Sequence, residues 1–250
     1  MHLEICYQES PITGAQPMSI YFGGTVKKSQ AILFDFDDTL VSRANAIQIV
    51  LSAWLSKHHS NLLESQRNDA LANLIKLDEQ GYSDRDNFTH QLLDLYPPSD
   101  GEHYSWDYFL DQLITNMKAT DSTRSMLGVL KQQYKLALIT NGPRKTQMRK
   151  LKHTSLDSEF MVCLFGDEFC KPDLRMFQKA ASLLDVSNKE CLVVGNDPLA
   201  DIAGARQAGM LTCWISHGKE WRCPPTKPSV QPDIILERVE LLHDILEHIQ

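Results

Sequence analysis

The feature that most constrains this chain is a run of four apolar residues, Ala31–Phe34, that ends in two closely spaced aspartates, Asp35 and Asp37. An apolar run bounded by polar residues predicts a strand buried on both faces of a parallel sheet. Side chains two positions apart in extended chain point the same way, so the two carboxylates would share one face while Phe36 turns toward the core. Two such carboxylates repel each other unless a cation lies between them or one is protonated. The pair therefore indicates a metal site, an acid/base pair or both, and the simpler alternative is an acidic loop that caps a helix starting near Ser42.

Composition and charge argue against several classes of protein. The chain has 250 residues, 42% of them hydrophobic and 23% charged, which suits one large domain or one domain with an insertion. A net charge of -7 argues against general nucleic-acid binding, and an anionic substrate would need local cations. No apolar stretch approaches the length that spans a bilayer, so no membrane partner is expected. The six cysteines form no Cys-x-x-Cys pair, which favours reduced thiols and a cytoplasmic location over disulfides or a zinc site.

The spacing of apolar residues divides the chain into an N-terminal extension, a helical block and an α/β part. Residues 1–29 are interrupted by prolines and glycines, and we expect a loosely ordered extension there. Residues 42–119 carry apolar side chains at helical spacing and predict a helical block. Residues 30–41 and 120–250 alternate strands and helices, which is typical of a parallel sheet covered on both faces. The predicted fold class is therefore α/β, with a doubly wound, Rossmann-like parallel-sheet core and an α-helical insertion after the first strand.

The elements of the α/β part follow from the spacing of its apolar residues. Short continuous apolar runs predict strands, and apolar residues that recur every three or four positions predict helices. The further strands are predicted at Lys135–Thr140, Met161–Phe165, Cys191–Gly195, Leu211–Ile215 and Asp233–Leu236. The helices are predicted at Ser122–Gln133, Leu174–Leu184, Leu199–Ala208 and Val239–Ile249.

Three further polar segments follow predicted strands, at the sheet edge where open α/β folds bind ligands. They are Thr140-Asn141-Gly142, Lys171-Pro172-Asp173 and Gly195-Asn196-Asp197, with Asp201 four residues beyond the last. The first offers a hydroxyl and backbone N–H donors to an oxyanion, the second a fixed positive charge, and the third oxygen ligands. Taken singly, each is also explained by a common turn, a helix start or a helix cap. Their shared position after strands, in order behind the first aspartates, favours a single functional site.

The order of these motifs resembles that of the haloacid-dehalogenase-like (HAD) hydrolases. The resemblance extends from about Gln30 to Ile215, and the helical block lies where that family inserts a helical cap. Smaller details, such as Gln147 and Lys150 after the Thr-Asn-Gly turn, are similar to the branch that contains nucleotide, flavin-mononucleotide and acylneuraminate phosphatases. The resemblance implies that residues 42–119 form a cap over the substrate.

The resemblance also implies catalytic roles. Asp35 would be the nucleophile that forms an aspartyl-phosphate, and Asp37 the general acid and then the general base. The family's dehalogenases lack an acid at the position of Asp37, because a halide leaves without a proton, so phosphoryl transfer is expected here. Thr140 and Lys171 would hold the phosphoryl oxygens and stabilise charge in the transition state. The expected substrate-binding residues are Thr39, whose hydroxyl would orient the Asp37 loop, Asn141 and Gly142.

A magnesium ion is the cofactor that the resemblance implies. It would bind a carboxylate of Asp35, the carbonyl of Asp37 and the last motif. Most relatives have an aspartate directly after the glycine of that motif, whereas this chain has Asn196 followed by Asp197. Asparagine is a neutral oxygen ligand, so metal affinity should fall unless Asp197 moves into the shell. We expect Asn196 at the ligand position, Asp197 as a nearby charge and Asp201 as support for the ligands.

The leading hypothesis is a Mg²⁺-dependent phosphatase acting on a small-molecule phosphate monoester such as a nucleotide, flavin or sugar phosphate. Two alternatives stay open. A phosphate-sensing module like a response-regulator receiver domain also uses an aspartate cluster, a threonine and a lysine, although it has no inserted cap. A catalytically attenuated family member that only binds phosphate would explain Asn196. The sequence names no particular substrate, and a monomer or a homodimer is expected.

Overall fold

The computed structural model describes residues 29–227 and 229–249 of the chain. The chain divides into two compact units, a smaller one formed by Ser42–Lys118 and a larger one formed by the chain on either side of it. The predicted extension over residues 1–29 lies, except for Ser29, outside the described residues. In the part of the chain that the structure describes, no helix is long and apolar enough to cross a membrane.

Within the described residues, the larger unit is built on a six-stranded sheet whose neighbouring strands are all parallel. The strand order is β3-β2-β1-β4-β5-β6. Strands β2 and β3 therefore lie on one side of β1, and β4, β5 and β6 lie on the other. A reversal of this kind opens a crevice at the carboxyl ends of the central strands. The strands are β1 (Ala31–Phe34), β2 (Lys135–Ile139), β3 (Val162–Leu164), β4 (Cys191–Gly195), β5 (Leu211–Ile215) and β6 (Ile234–Leu236).

The central strand β1 has no exposed residue, because it lies between β2 and β4 and both of its faces are covered. Ala31 and Leu33 belong to one hydrophobic core cluster, whereas Ile32 and Phe34 are buried on the opposite face. Continuous burial explains why the sequence here is an uninterrupted apolar run rather than an alternation of polar and apolar residues.

The smaller unit consists of α-helices that pack against one another. They are α1 (Arg43–His58), α2 (Glu64–Asp78), α3 (Arg85–Leu95) and α4 (Trp106–Asn116), with a 3-10 turn at Glu79–Gly81. Helix α1 begins where the hydroxyl of Ser42 accepts a hydrogen bond from the backbone N–H of Asn45. The guanidinium of Arg43 donates two hydrogen bonds of 2.7 Å to the buried carboxylate of Asp78, to which Arg85 donates a third of 2.9 Å. This bidentate pair ties the start of α1 to the end of α2.

The larger unit places its helices between the strands. They are α5 (Asp121–Leu130), α6 (Arg144–His153), α7 (Leu174–Leu183), α8 (Gly204–Gln207) and α9 (Leu242–Ile249), with 3-10 turns at Asn188–Glu190 and Val239–Leu241 and a π-helical segment at Pro198–Ala203. Met176 and Phe177 of α7 are fully buried in the core cluster that contains Leu33 and Val193. The helix on this face therefore covers the central strands that lead to the carboxyl edge of the sheet.

The predicted α/β fold with a doubly wound, Rossmann-like core is confirmed, and the predicted strand ends differ from the observed ones by a residue or less. The predicted helix Leu199–Ala208 is confirmed as helical, but its first half belongs to the π-helical segment Pro198–Ala203 and only Gly204–Gln207 is α-helical. Its start is widened where the carbonyl of Asp197 accepts hydrogen bonds from the N–H groups of both Asp201 and Ile202. The predicted helix Ser122–Gln133 ends early, at Leu130. A covering role for the smaller unit stays a prediction.

Candidate active site

The loop after β1 is fixed by backbone hydrogen bonds. The N–H of Asp35 donates to the carbonyl of Val194 on β4 over 2.9 Å, and the N–H of Leu40 donates to the carbonyl of Phe36 over 3.0 Å. Asp38 has a φ of 58°, a left-handed conformation that aspartate tolerates better than most residues. Phe36 is completely buried, as the alternation of side chains predicts. The loop therefore has one anchored apolar residue between the two aspartates of interest.

Asp35, the predicted nucleophile, is a buried carboxylate with a cation beside it. Its Oδ1 accepts a hydrogen bond of 2.6 Å from Nζ of Lys171, and its Oδ2 accepts one of 3.0 Å from the hydroxyl of Thr39. Burial raises the pKa of Asp35 above its ordinary value, and the ammonium of Lys171 opposes that shift. The side chain is thus held in one orientation and depends on nearby positive charge to stay ionised.

Lys171 is shared by two carboxylates. Its Nζ donates hydrogen bonds to Asp35 and, over 2.7 Å, to Oδ1 of Asp201. Burial alone would lower the pKa of Lys171, but Asp201 and Asp35 raise it above its ordinary value, so the ammonium stays charged. The side chain of Asn141 accepts a hydrogen bond from the N–H of Lys171 at 2.7 Å and donates one to its carbonyl at 2.8 Å. Asn141 therefore uses its side chain to hold Lys171, and its predicted substrate contact is left to its backbone.

Asp201 connects Lys171 to the turn after β4. Its second oxygen, Oδ2, accepts a hydrogen bond of 2.9 Å from the N–H of Asp197. Burial raises the pKa of Asp201 to about 7, an effect that Lys171 opposes and Asp35 reinforces. Gly195 makes this approach possible, because a Cβ at that position would lie 2.2 Å from Oδ2 of Asp201. The carboxylate of Asp201 thus positions the lysine and the turn at the same time.

Asn196 and Asp197, the two candidates for one metal-ligand position, have different neighbours. Oδ1 of Asn196 lies 3.2 Å from the hydroxyl of Thr39, the same hydroxyl that contacts Asp35. Oδ1 of Asp197 accepts hydrogen bonds of 2.8 and 2.7 Å from backbone N–H groups at the start of the π-helical segment. The structure therefore brings Asn196 beside Asp35, whereas Asp197 caps the following segment. Thr39, expected to orient the Asp37 loop, contacts Asp35 and Asn196 instead.

Asp37, the predicted acid and base, contacts two side chains of α6. Nζ of Lys150 donates to Oδ2 of Asp37 over 2.6 Å, and Nε2 of Gln147 donates to the same oxygen over 3.0 Å. Nε2 of Gln147 also lies 2.7 Å from the hydroxyl oxygen of Thr140, which is buried at the end of β2. A Cβ on Gly142 would meet Nε2 of Gln147 at 2.6 Å, so the absence of a side chain at Gly142 admits this glutamine. One donor side chain thus joins the loops that follow β1 and β2.

These α6 contacts were not among the predicted site residues. The sequence marks Gln147 and Lys150 only as details of a family resemblance, although their spacing of three places them on one helix face. His217, in the loop after β5, was also not predicted, and its Nε2 lies 2.6 Å from the carbonyl oxygen of Asp38. Contacts of this kind join residues far apart in sequence, and local spacing alone does not identify their partners.

The oxygens of this cluster fit a bound Mg²⁺. The contacting side chains include three carboxyl groups, from Asp35, Asp37 and Asp201, beside two ammonium groups, from Lys150 and Lys171. Carboxylate and amide oxygens are ligands that Mg²⁺ prefers, and two of them, from Asp35 and Asn196, converge on the hydroxyl of Thr39. Among the described residues no three His, Cys, Asp or Glu side chains group as a metal site, so a cation here would also use amide or main-chain oxygens.

A buried aspartate follows the central parallel strand of this α/β fold and is paired with a lysine from a neighbouring loop, so the candidate site lies at the carboxyl edge of the sheet. The sequence model of the haloacid dehalogenase-like hydrolases matches residues 32–215, from within β1 to the end of β5. The protein belongs to this family, and the predicted membership is confirmed.

Several of the proteins that this chain is similar to are named as phosphatases or pyrophosphatases. The pyrophosphatase PpaX of Bacillus mycoides is 29% identical over 228 residues, which cover 89% of this chain and 99% of that protein. The glyceraldehyde 3-phosphate phosphatase of Pyrococcus furiosus is 27% identical over 219 residues, covering 78% of this chain and 83% of that protein. The crystal structure of the HAD-hydrolase YfnB from Bacillus subtilis, bound to magnesium, has a TM-score of 0.67 at 23% identity and covers 88% of this chain and 99% of its own. This last likeness shows the fold.

Proposed function

We propose that the protein is a Mg²⁺-dependent phosphatase that hydrolyses a small phosphate monoester through an aspartyl-phosphate on Asp35. The observation that carries the proposal is the pair of aspartates after β1, with Asp35 held 2.6 Å from the ammonium of Lys171 and Asp37 two residues on. The relatives named as a pyrophosphatase and a glyceraldehyde 3-phosphate phosphatase support the same reaction class.

In the first step, an oxygen of Asp35 forms a bond to phosphorus while the bond from phosphorus to the leaving alkoxide breaks. Asp37 gives its proton to the alkoxide oxygen. Lys171 and the hydroxyl of Thr140 stabilise the negative charge on the phosphoryl oxygens, with backbone N–H groups around Gly142 as further donors. Donors that are held by the protein in this way would need little reorganisation during transfer.

In the second step, a water molecule attacks phosphorus and gives its proton to Asp37, now a carboxylate. The bond between phosphorus and Asp35 breaks, inorganic phosphate leaves and both aspartates return to their starting states. The hydrogen bond from Thr39 keeps Asp35 in the same orientation for the next cycle. One carboxylate therefore acts as nucleophile and the other moves the proton.

The proposed magnesium ligands are the carboxylate of Asp35, the main-chain carbonyl of Asp37 and the side chain of Asn196. Asp197 and Asp201 would add negative charge close to them. When bound, Mg²⁺ supplies the positive charge that offsets repulsion between the nucleophile and an anionic phosphate. A neutral amide at Asn196 is expected to give a weaker site than a carboxylate would.

A dehalogenase reaction, which the family name also allows, is disfavoured by Asp37. A halide leaves as a stable anion and needs no proton, whereas an alkoxide leaving group does. The carboxylate of Asp37 is held by Gln147 and Lys150 but keeps 21% of its side chain exposed, as a proton donor to substrate requires.

The substrate class rests on general considerations. We propose that the smaller helical unit caps the substrate and excludes water, and that nucleotides, flavin mononucleotide and sugar phosphates are the candidates. The net charge of -7 and the absence of a Cys-x-x-Cys pair favour a cytoplasmic location and no nucleic-acid partner.

The test is turnover of a generic aryl phosphate by the purified protein in Mg²⁺, followed by a panel of phosphate esters and pyrophosphate. We expect activity that disappears in Asp35→Asn and in excess chelator, and that persists in Asp157→Asn, which alters an exposed aspartate. Phosphate binding without turnover would favour the attenuated, phosphate-binding alternative. Equal activity in wild type and Asp35→Asn would refute the proposal, and full activity in chelator would refute the metal assignment.

A further inference from the structure

The carboxylate of Asp37 is held from one side by a buried pair on α6. The side chain of Lys150 is 6% exposed and that of Asp37 is 21% exposed, so the lysine side chain is the more buried of the two. Gln147 is 2% exposed and donates to the same oxygen. The two contacts fix Oδ2 of Asp37, while part of the side chain as a whole stays exposed.

Burying an ammonium is unfavourable unless a partner compensates it, and such pairs are often no more stabilising than apolar side chains of similar size. Stability alone therefore does not explain why Lys150 lies at this position on α6. The packing of α6 is supplied by Leu151, which is completely buried. The ion pair orients the carboxylate of Asp37 and adds no apolar contact.

Gln147 links this carboxylate to a second part of the site. Its Nε2 lies 3.0 Å from Oδ2 of Asp37 and 2.7 Å from Oγ1 of Thr140, so one amide group sets the separation between the two. Thr140 is a proposed phosphoryl contact, and the leaving oxygen must be protonated by Asp37 within the same transition state. A fixed separation therefore matters to proton transfer more than to binding.

We propose that Gln147 and Lys150 are positioning residues for the acid/base carboxylate of Asp37. They hold it at a set distance from the phosphoryl site, and Lys150 prevents it from turning toward other donors. This inference rests on the proposed function, because it concerns the proton that the leaving group takes when its bond to phosphorus breaks.

The expected signature is a dependence on the leaving group. A nitrophenolate leaves without a proton, so a displaced Asp37 hardly affects formation of the aspartyl-phosphate from a dinitrophenyl phosphate. An alkoxide needs the proton, and loss of well-placed acid catalysis reduces its rate by about 10²–10⁴-fold. A residue that only stabilised the fold would reduce kcat/KM by the same factor for both substrates.

The test compares kcat/KM of wild type and Lys150→Met for dinitrophenyl phosphate and for an alkyl phosphate. We expect a loss on the order of 10²-fold or more for the alkyl ester and about threefold or less for the dinitrophenyl ester. Lys150→Arg should recover part of the loss, because it keeps a cationic donor. Lys152→Met, which alters an exposed lysine of the same helix, should match wild type for both substrates.

Equal losses for the two esters, or no loss for either, would overturn the inference. If Lys150→Met does not fold, Gln147→Met and Lys150→Arg are judged by the same ratio between substrates. Failure of the proposed function is distinguishable, because wild type would then turn over neither ester and Asp35→Asn would behave like it. If wild type is active and the Lys150 variants lose the same factor for both esters, only the positioning role is refuted.

Discussion

Replacing Lys171 by methionine tests whether this lysine holds two buried carboxylates together. The substitution keeps a long apolar side chain but removes the ammonium that lies 2.6 Å from Asp35 and 2.7 Å from Asp201. Removing one partner of a buried ion pair leaves an uncompensated charge and costs about 3–5 kcal/mol of unfolding free energy. Here two carboxylates are left without their shared cation, so the loss should depend on whether either takes up a proton.

The sign of the pH dependence follows from Asp201. Burial raises its pKa from the ordinary 3.8 to about 7 even with Lys171 in place. A carboxyl group with a higher pKa in the folded protein binds its proton more tightly there, so its contribution to stability is fully present below about pH 4 and is lost as pH rises through about 7. Lys171 opposes this shift, so removing Lys171 moves the loss of stability to higher pH.

The assay is urea denaturation of wild type and Lys171→Met in chelator, at about pH 5 and about pH 8. We expect Lys171→Met to lose about 3–5 kcal/mol at the higher pH and about 1–2 kcal/mol at the lower one, where a shared proton replaces the ammonium. Adding Asp201→Asn should restore part of the loss at high pH, because one of the two charges is gone. Lys152→Met, the exposed control, should stay within about 0.5 kcal/mol of wild type. Equal losses at both pH values, or a further loss from Asp201→Asn, would refute this reasoning.

Three other substitutions test separate parts of the account. Gly195→Ala would place a Cβ 2.2 Å from a carboxylate oxygen and should lower stability by about 3 kcal/mol in thermal melts, whereas Gly128→Ala, with open space around it, should be neutral or slightly stabilising. Asn196→Asp should tighten Mg²⁺ binding on the order of tenfold in calorimetry, and weaker binding would contradict the proposed ligand position. Burial acts to raise the pKa of Asp78, but Arg43 holds it below its ordinary value, so its stabilisation is present above about pH 4 and is lost as pH falls. Asp78→Asn should therefore lose about 3 kcal/mol near neutral pH and show a smaller further loss in acid than wild type in chemical denaturation.

The strands of the sheet were predictable from the local sequence, because a strand that is buried on both faces consists of consecutive apolar residues. The apolar runs that predict β1 and β4 coincide with the observed strands, and the polar residues that follow them lie at the same edge. The π-helical start at Pro198 was not predictable from periodicity, since Leu199 and Ile202 fit an ordinary helix equally well. Within this segment Asp201 contacts Lys171 on another loop, and a long-range contact of this kind leaves no mark on the local periodicity.

In the site, too, the residues that follow strands were predictable from local sequence, whereas their long-range contacts were not. Positions after strands identified Asp35, Asp37 and Lys171 as candidates, because strand ends in a parallel sheet converge whatever the loops do. The partners of those residues were less accessible to sequence reasoning. The side chain of Asn141 turned out to hold a backbone segment, and Lys150 reaches a carboxylate more than a hundred residues earlier in the chain. Pairings of this range depend on how α6 packs, which no local spacing specifies.

The central claim is that Asp35 carries the phosphoryl group. The most direct measurement is rapid acid quenching of the enzyme during turnover of a phosphate ester, followed by reduction with tritiated borohydride, which releases the phosphate, and peptide mapping. The account predicts a tritium label on the peptide that contains Asp35, with that aspartate converted to homoserine, and no label in Asp35→Asn. Product formed in the first turnover with no label on this peptide, or with the label on another residue, would contradict it.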